Sequence, residues 1–365
     1  MNPTSKNLFA LAVWLVLMSE LSLASAASGP GLKPDHALTR IGFGSCARES
    51  DPQPIWDSIV ALKPELFLLI GDNIYGDTTN MTVLKTKYDQ LGAQPGYIRL
   101  RQTCPILATW DDHDLGKDDA GVEFPFKRES QQVMQDFFGV PTNSPLRERE
   151  GVYDARVFGP ASRRVQVILL DTRYFRSALK KSTSRLANVG PYTADDDPAA
   201  TVLGEAQWIW LREQLLHPAE VRLICSSIQV VAEDHGWEGW INHPLERRKL
   251  YRLIRETRAN GVVFLSGDRH LAELSMMDGD TGYPVYDLTS SGLNRGAKAW
   301  RPFEPNQHRI ATMNFGDNFG WIEINWNTPA PFISLQIRDL EGDIRIQQKL
   351  PLQVLTAPAA RPAGQ

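Results

Sequence analysis

Several short apolar runs in this chain stop abruptly, each on residues that can hold a metal ion or move a proton. Residues 65–77, ELFLLIGDNIYGD, put Asp72 and Tyr75 just past such a run. An earlier run ends in Gly44-Ser45-Cys46. Later ones end in Trp110-Asp111-Asp112-His113-Asp114, in Asp171-Thr172-Arg173 and in Ser266-Gly267-Asp268-Arg269-His270. The endings supply a thiol, a phenol, imidazoles and several carboxylates. Carboxylates crowded together repel and are driven towards protonation unless cations neutralise them, so the set argues for metal. Thiolate, phenolate and imidazole suit a transition metal such as iron or zinc. Oxygen-only positions suit Ca²⁺, Mg²⁺ or Mn²⁺. An Asp between two ions can bridge them, an arrangement that serves hydrolysis of phosphate esters.

The elements that must position these residues can be read from pattern. The run at 66–70 is short and apolar on both faces, as in a buried strand of an α/β sheet. In such sheets ligands gather at the carboxyl ends of the strands. Residues 38–46, 104–109, 165–170, 221–231 and 262–265 read as further strands, so the polar endings should converge on one rim. Helices are expected over 54–63, from Asn80 through Leu91, over 129–138, over 205–216, and from Pro244 to about Asn260 with Gly261 closing it. Residues 177–203 are polar and read as a long surface loop. The alternating segments 321–326 and 333–337, with a turn at Glu341-Gly342-Asp343, predict antiparallel strands with one face solvated.

The chain has 365 residues, 42% hydrophobic and 22% charged, enough for a sizeable core. A net charge of −4 gives no footprint for nucleic acid or acidic membranes. Residues 1–26 are expected to be a signal peptide: Lys6, an apolar stretch over 8–18, then Ala24-Ser25-Ala26. The stretch is too short for a comfortable membrane span, and an uncleaved anchor is the alternative. The twin-arginine pair is missing, so Sec-type export to the periplasm or outside is expected. The mature domain would cover 27–355 and a flexible tail 356–365. Three cysteines, Cys46, Cys104 and Cys225, do not make a disulfide scaffold. Cys104 and Cys225 read as buried strand residues, with a disulfide between them as the alternative.

The blocks Gly44-Ser45-Cys46, Gly71-Asp72-Asn73-Ile74-Tyr75, Trp110-Asp111-Asp112-His113-Asp114 and Gly267-Asp268-Arg269-His270 resemble the PhoD-like (alkaline phosphatase D) branch of the calcineurin-like metallophosphoesterases. Leu169-Leu170-Asp171-Thr172-Arg173, Glu233-Asp234-His235-Gly236-Trp237 and Asn314-Phe315-Gly316 support it. The resemblance runs from about Ile41 to Phe319. It implies an α/β fold: a four-layer α/β-β/α sandwich, two sheets flanked by helices, with a multinuclear metal centre at one rim. It further implies a ferric set of Cys46, Asp72, Tyr75 and His270. The oxygen-rich set would be Asp72, Asp112, Asp268 and Gln229, the last at the superfamily's fourth-motif His. Asp72 would bridge the two. The metals implied are Fe³⁺ with Ca²⁺, while Zn²⁺, Mn²⁺ or Mg²⁺ also fit by ligand type. His113 would contact the substrate phosphate or protonate the leaving group, beside Asp112.

Some residues carry two readings. Arg173 either binds phosphate bidentately or pairs with Asp171. Asp111 and Asp114 either bind or hold their neighbours' orientation. His235 either lines the pocket or is a satisfied loop histidine. Arg269 should face solvent or substrate, and Trp237 and Trp240 either pack or stack on substrate. The resulting expectation is an exported phosphoesterase in which hydroxide on a metal attacks phosphorus in line and His113 assists departure. Its substrate is a small phosphate ester, with no nucleic-acid partner, no stable membrane span and no obligate protein partner. A phosphodiesterase acting on phospholipids, in the manner of a phospholipase D, is the alternative. A silent phosphate- or metal-binding protein is the alternative from outside enzymes.

Overall fold

The computed structural model describes residues 31–184, 186–300 and 302–357. The expected leader at 1–26 and all but two residues of the expected tail lie outside them. Two sheets face each other. One has the order β13-β12-β11-β1-β2-β3, the other β10-β8-β9-β7-β6-β5-β4. In the first, β1 (Arg40–Gly44), β2 (Leu66–Ile70) and β3 (Ile106–Thr109) run parallel. Beyond β1 come the antiparallel strands β11 (Asn318–Asn325), β12 (Phe332–Asp339) and β13 (Ile344–Pro351). In the second, β5 (Val165–Leu169), β6 (Val221–Cys225), β7 (Val262–Ser266) and β9 (Val285–Ser290) are parallel. Beside them β4 (Asp154–Phe158), β8 (Ala272–Met277) and β10 (Arg309–Met313) run antiparallel.

The sequence of β2 shows why the layers form. Alternate residues of a strand face opposite sides. Leu66, Leu68 and Ile70 join the core that the two sheets share, whereas Phe67 and Leu69 join a second core under helices. The helices of that outer layer are α1 (Ile55–Ala61), α2 (Met81–Ala93), α3 (Pro95–Thr103) and α5 (Lys127–Phe137). A single turn of helix, α4, spans Asp112–Leu115. On the far side α6 (Gly204–Leu216) and α7 (Pro244–Thr257) cover the second sheet through Leu211, Leu215, Leu250 and Ile254. The fold is therefore the four-layer sandwich expected. As expected too, the Asn80 side chain accepts hydrogen bonds from the Thr82 and Val83 N–H groups and starts α2.

Several expectations need correction. The strand expected over 221–231 ends at Cys225; residues 226–231 are buried irregular backbone, tied by the Asp287 carboxylate, which accepts from the N–H groups of Val230 and Val231. Helix α7 stops at Thr257, because Arg258 turns left-handed at φ 54°. Neither β11 nor β12 has a solvated face. Phe319 and Trp321 pack under helices, while Ser334 and Gln336 are buried and hydrogen-bonded to each other. The solvated alternation belongs to β13 at the edge. The three cysteines are free thiols. Among the described residues no helix is long and apolar enough to cross a membrane.

Candidate metal centre

Parallel strands end on the same side. The carboxyl ends of β1, β2 and β3 therefore face those of β5, β6, β7 and β9 across the sandwich rim. There the backbone turns sharply. Cys46, Asp72, Asp268 and His270 all take positive φ, between 48° and 68°, rare for residues with a Cβ. Four such residues at one rim are a concentration of local strain of the kind that functional sites hold. Two glycines let the loops meet. A Cβ on Gly71, at φ 117°, would lie 2.7 Å from the Asp111 Cβ, and one on Gly267 would lie 2.3 Å from the Ser45 hydroxyl.

Three sets of donor atoms lie within 4.8 Å of one another. The first is Cys46, Asp72 and His270; the second Asp72, Asp112 and His113; the third Asp111, Asp112 and Asp268. Asp72 belongs to two sets, and Asp112 to two. The Cys46 thiol sits 3.4 Å from Asp72 Oδ2, and the Tyr75 hydroxyl 2.9 Å from His270 Nε2. The sequence-predicted Cys46, Asp72, Tyr75, Asp112, Asp268 and His270 are thus together. The Gln229 amide N–H group reaches Thr289 at 2.9 Å and Glu273 at 3.3 Å, and neither bond uses Oε1, the atom that would bind a metal.

The electrostatics of the set fit cations. Oδ1 of Asp72, Oδ2 of Asp111 and Oδ1 of Asp112 are buried with no hydrogen-bond donor. Burial pushes Asp72 well above the usual carboxylate range, and the neighbouring Asp112, Asp111 and Asp114 push it further. Burial and Asp111 do the same to Asp268. Burial and Asp72 raise the Cys46 thiol, and burial with Cys46 raises the Tyr75 phenol. Buried carboxylates with orphaned oxygens, a thiol and a phenol all hard to ionise alone make a site completed by positive charge. Asp112 is the exception. Burial opposes its ionisation, yet Arg173, His113 and the Asp119 N–H group hold it down to about 2.

The positioning groups are mostly ones the sequence did not flag. Arg173 neither pairs with Asp171 nor meets solvent. Its fully buried guanidinium lies on Asp111, reaches Asp112 at 3.6 Å and Glu238 at 2.6 Å. Glu238 also pairs with buried Arg176 at 2.9 Å. Asp171 instead holds its own loop, accepting from the N–H groups of Arg173 and Tyr174. Asp114 accepts from the N–H groups of Asn73 and Asp111 and from the Tyr88 hydroxyl, tying the β2 and β3 ends together. Glu49 accepts from the Tyr75 N–H at 2.9 Å. Asp77 is 2.7 Å from His113 Nδ1. Burial would lower His113, but Asp77 and Asp112 raise it to about 9.

The remaining candidates separate. Trp240 is core, donating from its indole to Ser226. Trp237 is at the rim under Arg269, whose guanidinium carbon is 5.1 Å from the ring centre and which also pairs with Glu304. His235 is buried, accepting from the Trp237 N–H. Glu238 could have been suspected, because it directly follows the Glu233–Trp237 block. Nothing in the local pattern marks Glu49 or Arg176.

The comparisons agree with this fold. The family model described as PhoD-like phosphatase matches residues 41–297. A solved structure described as PhoD superposes with a TM-score of 0.67 at 16% identity, over 91% of this chain and 74% of that one. A dimetal phosphatase from Danio rerio gives 0.51 at 14% identity, over 88% of this chain and 100% of that one. No curated protein sequence matches. With more than half its length matched, the chain belongs to the PhoD-like phosphatase family, metal-dependent hydrolases of phosphoric esters.

Proposed function

We propose that this chain is an exported phosphatase acting on small phosphate monoesters, with a ferric ion on the Cys46 side of the centre and Ca²⁺ on the oxygen-rich side. The observation that carries the reading is the sharing of Asp72 between a set with the Cys46 thiol and the His270 imidazole and a thiol-free set with Asp112 and His113, which Asp112 links to Asp111 and Asp268. When bound, ions of this kind supply Lewis acidity and make water nucleophilic near neutral pH. Cys46, Asp72, Tyr75 and His270 would hold the first ion; Asp72, Asp112 and Asp268 the second.

The chain's own groups divide the remaining work. Arg173 is out of reach of substrate, so its task is to hold Asp111 and Asp112 in place. His113 bears the proton-donor role. Asp77 fixes its ring at Nδ1 and keeps it protonated well above neutral pH, so a proton is available to the departing alkoxide. The rim is preorganised by hydrogen bonds to Asp114 and Glu49, so little reorganisation is needed. Export rests on the leader-like residues 1–26.

Metal analysis with a visible spectrum, followed by turnover of a chromogenic monoester and its matching diester, tests the reading. Stoichiometric iron, a charge-transfer band and faster monoester cleavage are expected. A colourless, iron-free, fully active enzyme overturns the ferric assignment, and preferential diester cleavage replaces monoester with diester chemistry.

A further inference from the structure

Many arginines of intermediate exposure in this molecule end on a carboxylate. Arg164 meets Glu220 at 3.0 Å, Arg147 meets Asp136 at 2.7 Å, and Arg309 meets Glu273. Such pairing is expected, since a partly desolvated guanidinium without a counter-charge costs free energy. Not all do: Arg128 ends on backbone carbonyls and Arg149 stacks on Tyr153, and two more such arginines lie at the rim. Arg48 and Arg295 are of intermediate exposure and have no carboxylate partner among the described residues, and the Nε atom of each is buried without an acceptor. Both lie against the same ring: their guanidinium carbons are 4.9 Å and 5.3 Å from the centre of Tyr75.

Their placement is built, not accidental. The Asn294 side chain accepts from the Arg48 N–H at 2.7 Å and donates to the Arg48 carbonyl at 2.9 Å, so it clamps the loop carrying one arginine to the loop carrying the other. Neither arginine compensates the buried carboxylates as Arg173 does, since neither makes an ion pair with them. Arg295 opens onto a cleft of roughly 420 Å³ lined also by His270, Lys298 and the exposed Trp300. A cationic wall therefore borders the metal centre on its Tyr75 side, adjoining a cleft large enough for the body of a substrate.

We infer that the ester hydrolysed here carries a second anionic group on its leaving alcohol, and that Arg48 and Arg295 bind it. This rests on the phosphoesterase reading of the same metal centre. A carboxylate and a second phosphate share the chemistry, since either accepts two parallel N–H donors from a guanidinium. Lys298, fully at the surface, adds charge without geometry. The scissile phosphate stays at the metal side, between the donor sets and His113.

The test uses the metal-loaded full chain and phosphate release from phenyl phosphate, 4-carboxyphenyl phosphate and 4-phosphonophenyl phosphate. The intrinsic leaving-group reactivity of each ester is the same for every variant, so the ratio of kcat/KM between an anionic and the neutral ester, compared across variants, isolates the subsite. In Arg295→Gln and Arg48→Gln that ratio should fall about tenfold, mostly through KM, and further in the double variant. Arg295→Lys should keep part of it. The carboxylate and phosphonate arms show which anion is preferred. An unchanged ratio overturns the inference. So does an equal loss on all three esters, which would place the arginines on the scissile phosphate. Failure of the wild type to hydrolyse any ester would instead refute the phosphoesterase reading. Thermal unfolding of each variant checks that it is folded, and the Arg48 and Arg295 arms stand independently.

Discussion

The two halves of the metal centre are held by different means. On the carboxylate half, Asp111 and Asp112 lie against a guanidinium that the chain brings itself: Arg173, backed by Glu238 and Arg176. On the thiol half no ion pair to Cys46 or Tyr75 is formed among the described residues, and Arg48 and Arg295 lie only over the Tyr75 ring. Cys46 is steadied by neutral contacts, Ser45 at 3.4 Å and Ser291 at 3.3 Å, and the Ser291 hydroxyl also accepts from the His270 N–H at 2.7 Å. The difference shows where charge is balanced. The carboxylate half is partly neutral before any ion arrives. The thiol half relies on the incoming cation, because burial makes both Cys46 and Tyr75 hard to ionise. This is the asymmetry that the proposed ferric ion on the thiol half would answer.

The shared residue is where this comparison breaks first. Asp72→Ala should abolish binding on both sides, with loss of activity on the order of a thousand-fold or more. It should not lower the melting temperature of the metal-free chain, since it removes a buried carboxylate that its neighbours oppose. Metal content by mass and calorimetry of the stripped protein check both parts; retention of one full equivalent of iron would refute the bridging role. Next comes the built-in cation. Arg173→Met leaves Asp111 buried without its counter-charge and Glu238 with Arg176 alone, at about 3–5 kcal/mol of stability. A urea midpoint within error of wild type would show that the carboxylate half is not balanced by arginine.

How much of this was legible in the sequence divides along the same line. The ligands stood out because each follows a buried strand at a tight turn, where local pattern alone marks a polar residue as misplaced. The buried strands were legible from the short two-faced apolar runs, and the sandwich from the family resemblance of the blocks that follow them. Glu49, Arg176 and Glu238 were not, because a buried salt network is defined by groups 60 or so positions apart, such as Arg173 and Asp111. Arg173 was noticed, either as a phosphate binder or as the partner of Asp171; Asp171 is close in sequence, yet its carboxylate is spent on backbone N–H groups. Strands β8 and β9 were passed over for a related reason. Glu273, Ser275, Asp287 and Thr289 are polar yet buried, satisfied by one another and by Gln229, Ser266 and Asn306. Polar residues that partner each other across strands erase the apolar signature of a core strand.

The thiol half is sharpened by a smaller change. Tyr75→Phe keeps the ring, and with it the contact to the His113 ring at 4.2 Å, but removes the hydroxyl beside His270. A shifted and weakened charge-transfer band is expected, with the Cys46 thiolate contribution remaining, together with weaker iron retention and a fall in kcat of about tenfold. A spectrum identical to wild type would remove Tyr75 from the ligand set.

The smallest effect tests how far the arginine network reaches. His243, which precedes α7, is buried, and burial together with Arg176 lowers it to about 4, against the opposing pull of Asp195 and Glu246. Its folded value is depressed, so between about 4 and the ordinary 6.5 the unfolded chain binds the proton more readily. The stabilising contribution is therefore complete above 6.5 and is lost as pH falls through 4. His243→Asn removes the titration while keeping a polar side chain of similar reach. The drop in unfolding free energy between pH 7.5 and pH 4.5 should shrink by on the order of 1 kcal/mol in the variant, read from urea melts at the two values. Glu238→Gln, which strips Arg176 of its counter-charge, should move the same window the other way, because an uncompensated guanidinium depresses the imidazole further. Parallel pH profiles in wild type and both variants would confine the arginine network to the carboxylates it touches.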